Sequence, residues 1–134
     1  MSAQEDAELV RRGYEAFIAG DMEWLNEHLH ENVVWHVPGT SVLAGDYRGR
    51  ESVLAFFAKS VQVALPEFDI HDVAATEDHV VALVSIQWRR NDNNETFSDR
   101  VAQVFHLDNG QAIEVWTMSE DQPGFDRFLE GAPA

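Results

Sequence analysis

The chain has 134 residues, 45% of them apolar and 25% charged, which is typical of one globular domain. Lys and Arg number 9 against 24 Asp and Glu, and the formal net charge of −15 opposes binding to nucleic acid or to anionic membranes. Cysteine is absent, which excludes a disulfide framework, a thiol nucleophile and a Cys-based metal site.

The sequence shows no sign of membrane insertion or export. Its apolar runs are all shorter than the roughly 18 residues that a membrane-spanning helix needs. The acidic segment 1–6 has neither the positive start nor the apolar stretch of a signal peptide. We therefore expect a single cytoplasmic domain over residues 1–134 that contacts no membrane.

Three helices and one strand are predicted in the first half of the chain. Apolar residues recur at helical spacing over residues 4–19, and Gly20 follows as a helix stop. Asp21 can cap a second, shorter helix that carries Met22, Trp24, Leu25 and Leu29. Residues 32–37 are typical of a strand that ends at a proline, and residues 50–64 have the apolar face of a third helix.

Short strands dominate the second half, after Pro66. Polar turns at residues 91–94 and 108–110 separate the β-rich runs, and a short element follows at 125–129. The predicted strands cover residues 68–75, 79–89, 96–107 and 112–118. Consecutive strands joined by tight turns pair antiparallel. We therefore expect an α+β domain with three helices on one face of a curved, mixed, mainly antiparallel sheet.

The first strand opens into a loop at Pro38, and loops on a rigid scaffold often carry ligand contacts. His36 lies there, and an unperturbed imidazole exchanges a proton near pH 6.5. Two interpretations stay open: a general base, or a hydrogen-bonded histidine at the protein surface. Strand alternation puts Trp35 and Val37 on one face and Val34 and His36 on the other, but does not show which face is internal.

The order of elements, together with three short segments, resembles the nuclear transport factor 2-like (NTF2-like) superfamily. The segments are Ala16-Phe17-Ile18-Ala19-Gly20-Asp21, Val34-Trp35-His36-Val37-Pro38-Gly39 and Asp108-Asn109-Gly110. The chain is most similar to the SnoaL-like branch, related to ketosteroid isomerases, over about residues 5–129. The resemblance implies a cone-shaped sheet wrapped around helices and enclosing an apolar pocket. It also implies a homodimer through the outer sheet face, where Trp88 and Phe97 are the expected contacts.

The catalytic residues of the named enzymes in this superfamily are not preserved here. Ketosteroid isomerases carry an acidic base directly before the proline that ends the first strand, where this chain has Val37. Their tyrosine donor lies one residue further from the helix stop than Tyr14, and their protonated acid falls near Ala102 or Gln103. Limonene epoxide hydrolases carry an Arg-x-Asp motif on a central strand, and the corresponding segment here is Val84-Ser85-Ile86. The fold alone does not give the function, since it hosts isomerases, cyclases, dehydratases and proteins without a known reaction.

Several side chains are candidates for contact with a bound molecule. Tyr14 is either a hydrogen-bond donor on the helical floor of the pocket or a core aromatic. Trp35 is a candidate at the end of the first strand, and Trp116 and Met118 share one face of the last strand and match pocket-lining positions of related enzymes. Arg100 and Gln103 lie on opposite faces of one strand, so one of them is expected to point inward. Asp99 is expected to be a solvent-exposed acid near a turn.

These residues give two hypotheses about function. In the first, His36 and Tyr14 form an acid–base pair across the pocket of a cofactor-free isomerase, cyclase or dehydratase-type enzyme. Its substrate would be a small apolar molecule that is polyketide-, terpenoid- or steroid-like. In the second, the protein binds a small ligand without turnover or acts as an accessory protein. No metal is expected, because His28 and His30 point apart on a helix and the remaining histidines lie singly.

Overall fold

The computed structural model describes residues 2–133, so the end residues 1 and 134 of the predicted domain lie outside it. Its helices are α1 (Ala3–Ala19), α2 (Met22–His28), α3 (Arg50–Val63) and α4 (Gln122–Phe128). Its strands are β1 (Leu29–Val37), β2 (Gly45–Arg48), β3 (Ala64–Ala75), β4 (His79–Arg90), β5 (Thr96–Asp108) and β6 (Gln111–Ser119). The α+β class and the order of the predicted elements are confirmed: the short element predicted at 125–129 is the helix α4, and β2 is additional.

Local sequence signals explain where the first two helices begin and end. Ser2 and Glu5 form a capping box, in which each side chain accepts a hydrogen bond from the backbone of the other. Gly20 ends α1 in the left-handed conformation, with φ of 70°, which a residue without Cβ adopts at little cost. The Asp21 carboxylate then accepts from the backbone of Trp24 and starts α2.

The six strands form one mixed sheet in the order β2-β1-β6-β5-β4-β3. All neighbours pair antiparallel except β1 and β6, which run parallel. Register shifts interrupt β1, β3 and the pairing of β5 with β6, and such bulges bend a strand and increase its twist. The sheet therefore curves, and its concave face receives the first three helices.

The core lies between these helices and the concave face of the sheet. Val33, Val53, Val80 and Val115 are completely buried there. A second cluster surrounds α4, where Leu43, Val63, Ala64, Phe128 and Leu129 pack together. Burial of these side chains provides the main driving force for folding, at about 25 cal/mol per Å² of apolar surface.

Trp88 and Phe97 belong to this interior and not to the outer sheet face. Trp88 faces the space under the helices, and the Phe97 ring stacks on Phe128 with 5.6 Å between centroids. Their predicted role as dimer contacts is therefore wrong, because both strands turn these side chains toward α4. A homodimer through the outer face stays a prediction.

Two chain segments differ from their sequence-based interpretation. The loop predicted after Pro38 contains β2, whose four residues Gly-Asp-Tyr-Arg show no apolar alternation; pairing with β1 makes them a short edge strand. β3 begins at Ala64 rather than at Phe68, and Pro66 is part of it. That position is tolerated because β3 is the other edge of the sheet, where a missing backbone N–H leaves no partner unpaired. Within residues 2–133, none of the helices combines the length and apolarity that crossing a membrane requires.

Candidate functional site

A cavity lies between the helices and the concave face of the sheet, and aromatic and aliphatic side chains line most of it. Its volume is about 190 Å³. A single water occupies about 10–15 Å³ when volume is measured by the same kind of probe, so the cavity is larger than a site for one or two structural waters. The space suits a small organic molecule with a mostly apolar body.

The two strand-end candidates lie on opposite faces of β1. Trp35 points into the cavity, where its ring meets Phe57 edge-on with 4.9 Å between centroids. His36 points to the outer face, into a shallow groove that also contains Trp116. Its ring nitrogens lie 2.7 Å from an Asp46 oxygen and 2.7 Å from a Glu114 oxygen. Strand alternation separates His36 from the cavity by the thickness of the sheet.

The predicted acid–base pair of His36 and Tyr14 is therefore wrong, since only Tyr14 faces the cavity. The pKa of His36 is also raised, by its hydrogen bond to Glu114 and then by that to Asp46, whereas desolvation in a pocket would have lowered it.

The remaining candidates divide in the same way between the two faces of the sheet. Gln103 lines the cavity together with Tyr14 and Trp35. Trp116 and Met118 do not line it: they face the outer groove, and Met118 is 51% exposed. Arg100 is exposed and pairs with Glu120. The inward residues of β6 are instead Thr117 and Ser119, one position away from the predicted ones, because alternation inverts which side chains are internal.

Tyr14, Gln103 and Thr117 form a hydrogen-bonded chain in the cavity wall. The Tyr14 hydroxyl donates to Oε1 of Gln103, and Nε2 of Gln103 donates to Oγ1 of Thr117 over 3.1 Å. The Tyr14 ring is buried and meets Phe68 edge-on, with 5.1 Å between centroids. Burial raises the pKa of Tyr14 far above its ordinary value, so its hydroxyl stays neutral at physiological pH.

Asp99 is an ionisable residue of the cavity that sequence reasoning missed. It is 6% exposed rather than solvent-exposed as predicted. Ser119 donates to its Oδ2 over 2.6 Å, whereas its Oδ1 is buried and has no hydrogen-bond partner among residues 2–133. Burial raises the pKa of the Asp99 carboxyl, and the bond from Ser119, together with the nearby backbone N–H groups of Arg100 and Asp121, opposes that effect only in part. The burial of Asp99 could have been predicted from alternation, because Asp99 lies on the same face of its strand as the apolar Val101 and Phe105.

Asp99 and the Tyr14–Gln103–Thr117 chain are well separated in the cavity wall. Asp99 and Gln103 face the same side of β5 and are four residues apart, so their Cα atoms are separated by about 13 Å. A carboxyl with one free oxygen can take up or release a proton at one place, while the Tyr14 chain can orient a polar group at another. As for metal ligands, the side chains of residues 2–133 form no cluster of three or more His, Asp or Glu suited to holding an ion.

The sequence and the fold are both similar to those of known proteins. The family model of SnoaL-like domains matches residues 10–115. An uncharacterised protein of Mycobacterium tuberculosis is 31% identical over 93 residues, which cover 67% of this chain and 71% of that protein. Among solved structures, Bal32a from a soil-derived mobile gene cassette is 32% identical, with a TM-score of 0.85 over 96% of this chain and 98% of that chain. An NTF2-like protein of Burkholderia xenovorans LB400 is 22% identical, with a TM-score of 0.90 over 97% and 99%.

Two more distant structures carry names that suggest reactions. One is a protein of Jannaschia sp. CCS1 described as a SnoaL-like polyketide cyclase, 17% identical with a TM-score of 0.80 over 98% of this chain and 95% of that chain. The other is an epoxide hydrolase of M. tuberculosis, described as LEH-like, 17% identical with a TM-score of 0.74 over 96% and 92%. At this identity the likeness shows a common fold and nothing about the reaction.

Proposed function

Since this chain belongs to the SnoaL-like family of the NTF2-like superfamily, we propose that it is an enzyme in which Asp99 transfers a proton to or from a small apolar molecule held in the cavity. One observation carries the proposal: Oδ1 of Asp99 is buried at the cavity wall without a hydrogen-bond partner among residues 2–133. Asp99 thus takes the role that the sequence analysis gave to His36.

The energetic argument starts from the unpartnered oxygen. Leaving a buried polar atom without a hydrogen bond costs about 1–3 kcal/mol, and more if the group is charged. A structural role would favour an apolar residue at this position, like the neighbouring Val101 on the same face of β5. A carboxyl kept at this cost inside an apolar cavity is typical of a residue that meets its partner only when a ligand is bound.

The chemistry follows from the surroundings of the carboxyl. Burial raises the pKa of Asp99, so its ionised form is a stronger base than an exposed aspartate. The Ser119 hydroxyl donates to Oδ2, which holds the carboxyl in place and leaves Oδ1 free. Oδ1 can take a proton from a carbon next to a carbonyl group and return it at another position of the same molecule. Such an isomerisation balances in atoms and electrons without a co-reactant.

The related structures support the reaction type only in a general way. The cyclase and hydrolase names belong to proteins that share the fold at 17% identity. The apolar lining of the cavity supports a polyketide-, terpenoid- or steroid-like molecule as the substrate class that we propose. The alternative is a protein that binds such a molecule without turnover. The Tyr14–Gln103–Thr117 chain is the observation that favours binding without turnover, because it can orient a ligand and contains no base.

Hydrogen–deuterium exchange at an enolisable ketone distinguishes the two functions. The probe is 1-tetralone in D₂O, with exchange at the carbon next to the carbonyl followed by NMR. Binding is followed by tryptophan fluorescence, to which Trp24, Trp35 and Trp88 in the cavity wall contribute. We expect the protein to accelerate exchange and the Asp99→Asn variant to lose at least about 100-fold of this acceleration while it still binds the ketone.

The matched control is Asp69→Asn, which makes the same chemical change at an exposed position of β3. It should exchange at the wild-type rate. Binding of the ketone without accelerated exchange by the wild-type protein would favour the non-catalytic alternative. Equal exchange by wild type and Asp99→Asn would assign the proton transfer to another group.

A further inference from the structure

We propose that Gln103 makes Tyr14 a hydrogen-bond acceptor toward the cavity, and that the ligand therefore presents a hydroxyl group, as in an alcohol or phenol, to this end of the cavity. The inference rests on the proposed binding of an apolar molecule in the cavity and adds the chemical group that is recognised there. It does not depend on proton transfer by Asp99.

The first step is the direction of the hydrogen bonds. A tyrosine hydroxyl has one proton and two lone pairs, and Tyr14 gives its proton to Oε1 of Gln103. The amide NH₂ of Gln103 faces Thr117. This orientation is chemically favoured, because a phenol is more acidic than an aliphatic alcohol and is therefore the better donor. The amide oxygen accordingly faces Tyr14, and the amide nitrogen faces Thr117.

The second step is what this chain leaves for a ligand. Tyr14 has no second proton, so its remaining lone pair can only accept a hydrogen bond. Thr117 accepts from Gln103 and keeps its own hydroxyl proton for donation, and the Gln103 amide has a second N–H. A ligand hydroxyl satisfies these groups together, since it donates to Tyr14 and accepts from Thr117 or Gln103. A ketone oxygen placed against Tyr14 would bring lone pairs face to face.

The third step concerns charge and size. Phe68 and Phe105 pack around the Tyr14 ring. The Cα atom of Asp99 is about 13 Å along β5 from that of Gln103, the residue to which Tyr14 donates. A cationic donor such as an ammonium group would lose its hydration there without a carboxylate beside it, which is costly. The donor that fits is a neutral hydroxyl on an apolar body.

Matched aromatic probes test the direction of recognition. The probes are 2-naphthol, which donates, and 2-methoxynaphthalene and 2-acetonaphthone, which only accept; Kd is measured by isothermal titration calorimetry. We expect the wild-type protein to bind 2-naphthol at least about tenfold more tightly than either of the others, a difference of about 1.4 kcal/mol. Tyr14→Phe should abolish this preference.

Gln103→Leu provides the specific readout, because it frees the Tyr14 proton for donation to the ligand. The preference should then shift toward 2-acetonaphthone, a change that loss of packing alone would not produce. Gln103→Met, with similar length, serves as a second variant if the first is unstable. Gln87→Leu, at an exposed position of β4, is the matched control and should keep the wild-type order.

Two outcomes would overturn the inference: wild-type protein that binds the ketone or the ether as tightly as 2-naphthol, or no measurable binding of any of the three probes. If Gln103→Leu and Gln103→Met both leave the preference for 2-naphthol unchanged, Gln103 does not determine that preference. Repeating the series in Asp99→Asn separates this inference from the proposed reaction. The preference for 2-naphthol should persist there even though exchange is lost.

Discussion

Nε2 of His36 lies 2.7 Å from Oε2 of Glu114, on the strand that pairs in parallel with its own. Nδ1 of the same ring lies 2.7 Å from Oδ1 of Asp46 on β2, and Arg48 reaches the other oxygen of that carboxylate at 3.9 Å. Only the protonated imidazole can donate to both carboxylates at once, because the neutral ring has one N–H. In its protonated form His36 therefore joins three strands on the outer face.

We predict that the protein loses stability as the pH rises through the folded-state pKa of His36. Both carboxylates raise this pKa in the folded state, with Glu114 the larger cause. The stabilisation is therefore complete below the unfolded pKa of about 6.5 and is lost as pH increases through the higher folded value. Thermal unfolding between pH 5.5 and 8.5 should show a steeper fall of Tm for wild type than for Glu114→Gln.

His71→Gln is the control for this experiment, because His71 is exposed on β3. It should keep the wild-type dependence of Tm on pH. An NMR titration of the imidazole gives the same answer directly: a His36 pKa at or below 6.5 would contradict the prediction, as would identical pH slopes for wild type and Glu114→Gln.

Asp99→Asn should make the protein more stable at neutral pH. Because burial raises the pKa of Asp99 in the folded state, its contribution to stability is fully present only below the unfolded pKa of about 3.9 and is lost as pH rises through the folded value. Asparagine can keep the bond from Ser119 and removes the buried charge. We expect a gain of about 1 kcal/mol at pH 7 that shrinks toward pH 4.5, measured by urea unfolding.

The comparison for Asp99 is again Asp69→Asn, whose exposed carboxylate should change the unfolding free energy by less than about 0.5 kcal/mol. A lower stability of Asp99→Asn at both pH values would show that the carboxyl is structural. A gain of stability with loss of proton exchange is the combination expected of a residue that is kept for function at the expense of folding.

Periodicity predicts the elements of this fold well and the faces of its strands poorly. The helical spacing around Val10 and Tyr14 and the β-rich runs after Pro66 were sufficient for the α+β order. The sidedness of β1 was not predictable, because Val34 and Trp35 are both apolar and alternate faces. β2 and α4 are too short for periodicity, and their places depend on pairing with β1 and on packing against Phe97.

The candidate site shows the same division between local and tertiary information. Tyr14 and Gln103 are both candidates from the sequence, but which of the alternatives holds depends on the bond between them, which joins positions 89 residues apart. Asp99 is predicted to be exposed because it lies next to Arg100 and near a turn, but its side chain is on the opposite face of β5 from the exposed Arg100. Which of two alternating sets faces inward depends on the helices that cover the sheet, and that is decided by tertiary packing rather than by the strand itself.

The last prediction concerns Arg90, which anchors the C-terminal part of the described chain to the sheet. Arg90 is 5% exposed and donates to the carbonyl oxygens of Phe128 and Glu130 over 3.0 and 2.8 Å. Nε and Nη2 bind the carboxylate of Asp92 over 2.8 and 2.6 Å.

Arg90→Met keeps much of the side-chain volume but leaves these acceptors without a donor. We expect a lower Tm, faster hydrogen exchange over residues 122–130 and earlier proteolysis there. Arg89→Met, one residue away and exposed, should behave like wild type in all three measurements. Unchanged exchange over residues 122–130 in Arg90→Met would mean that the apolar contacts of Phe128 and Leu129 alone hold α4 in place.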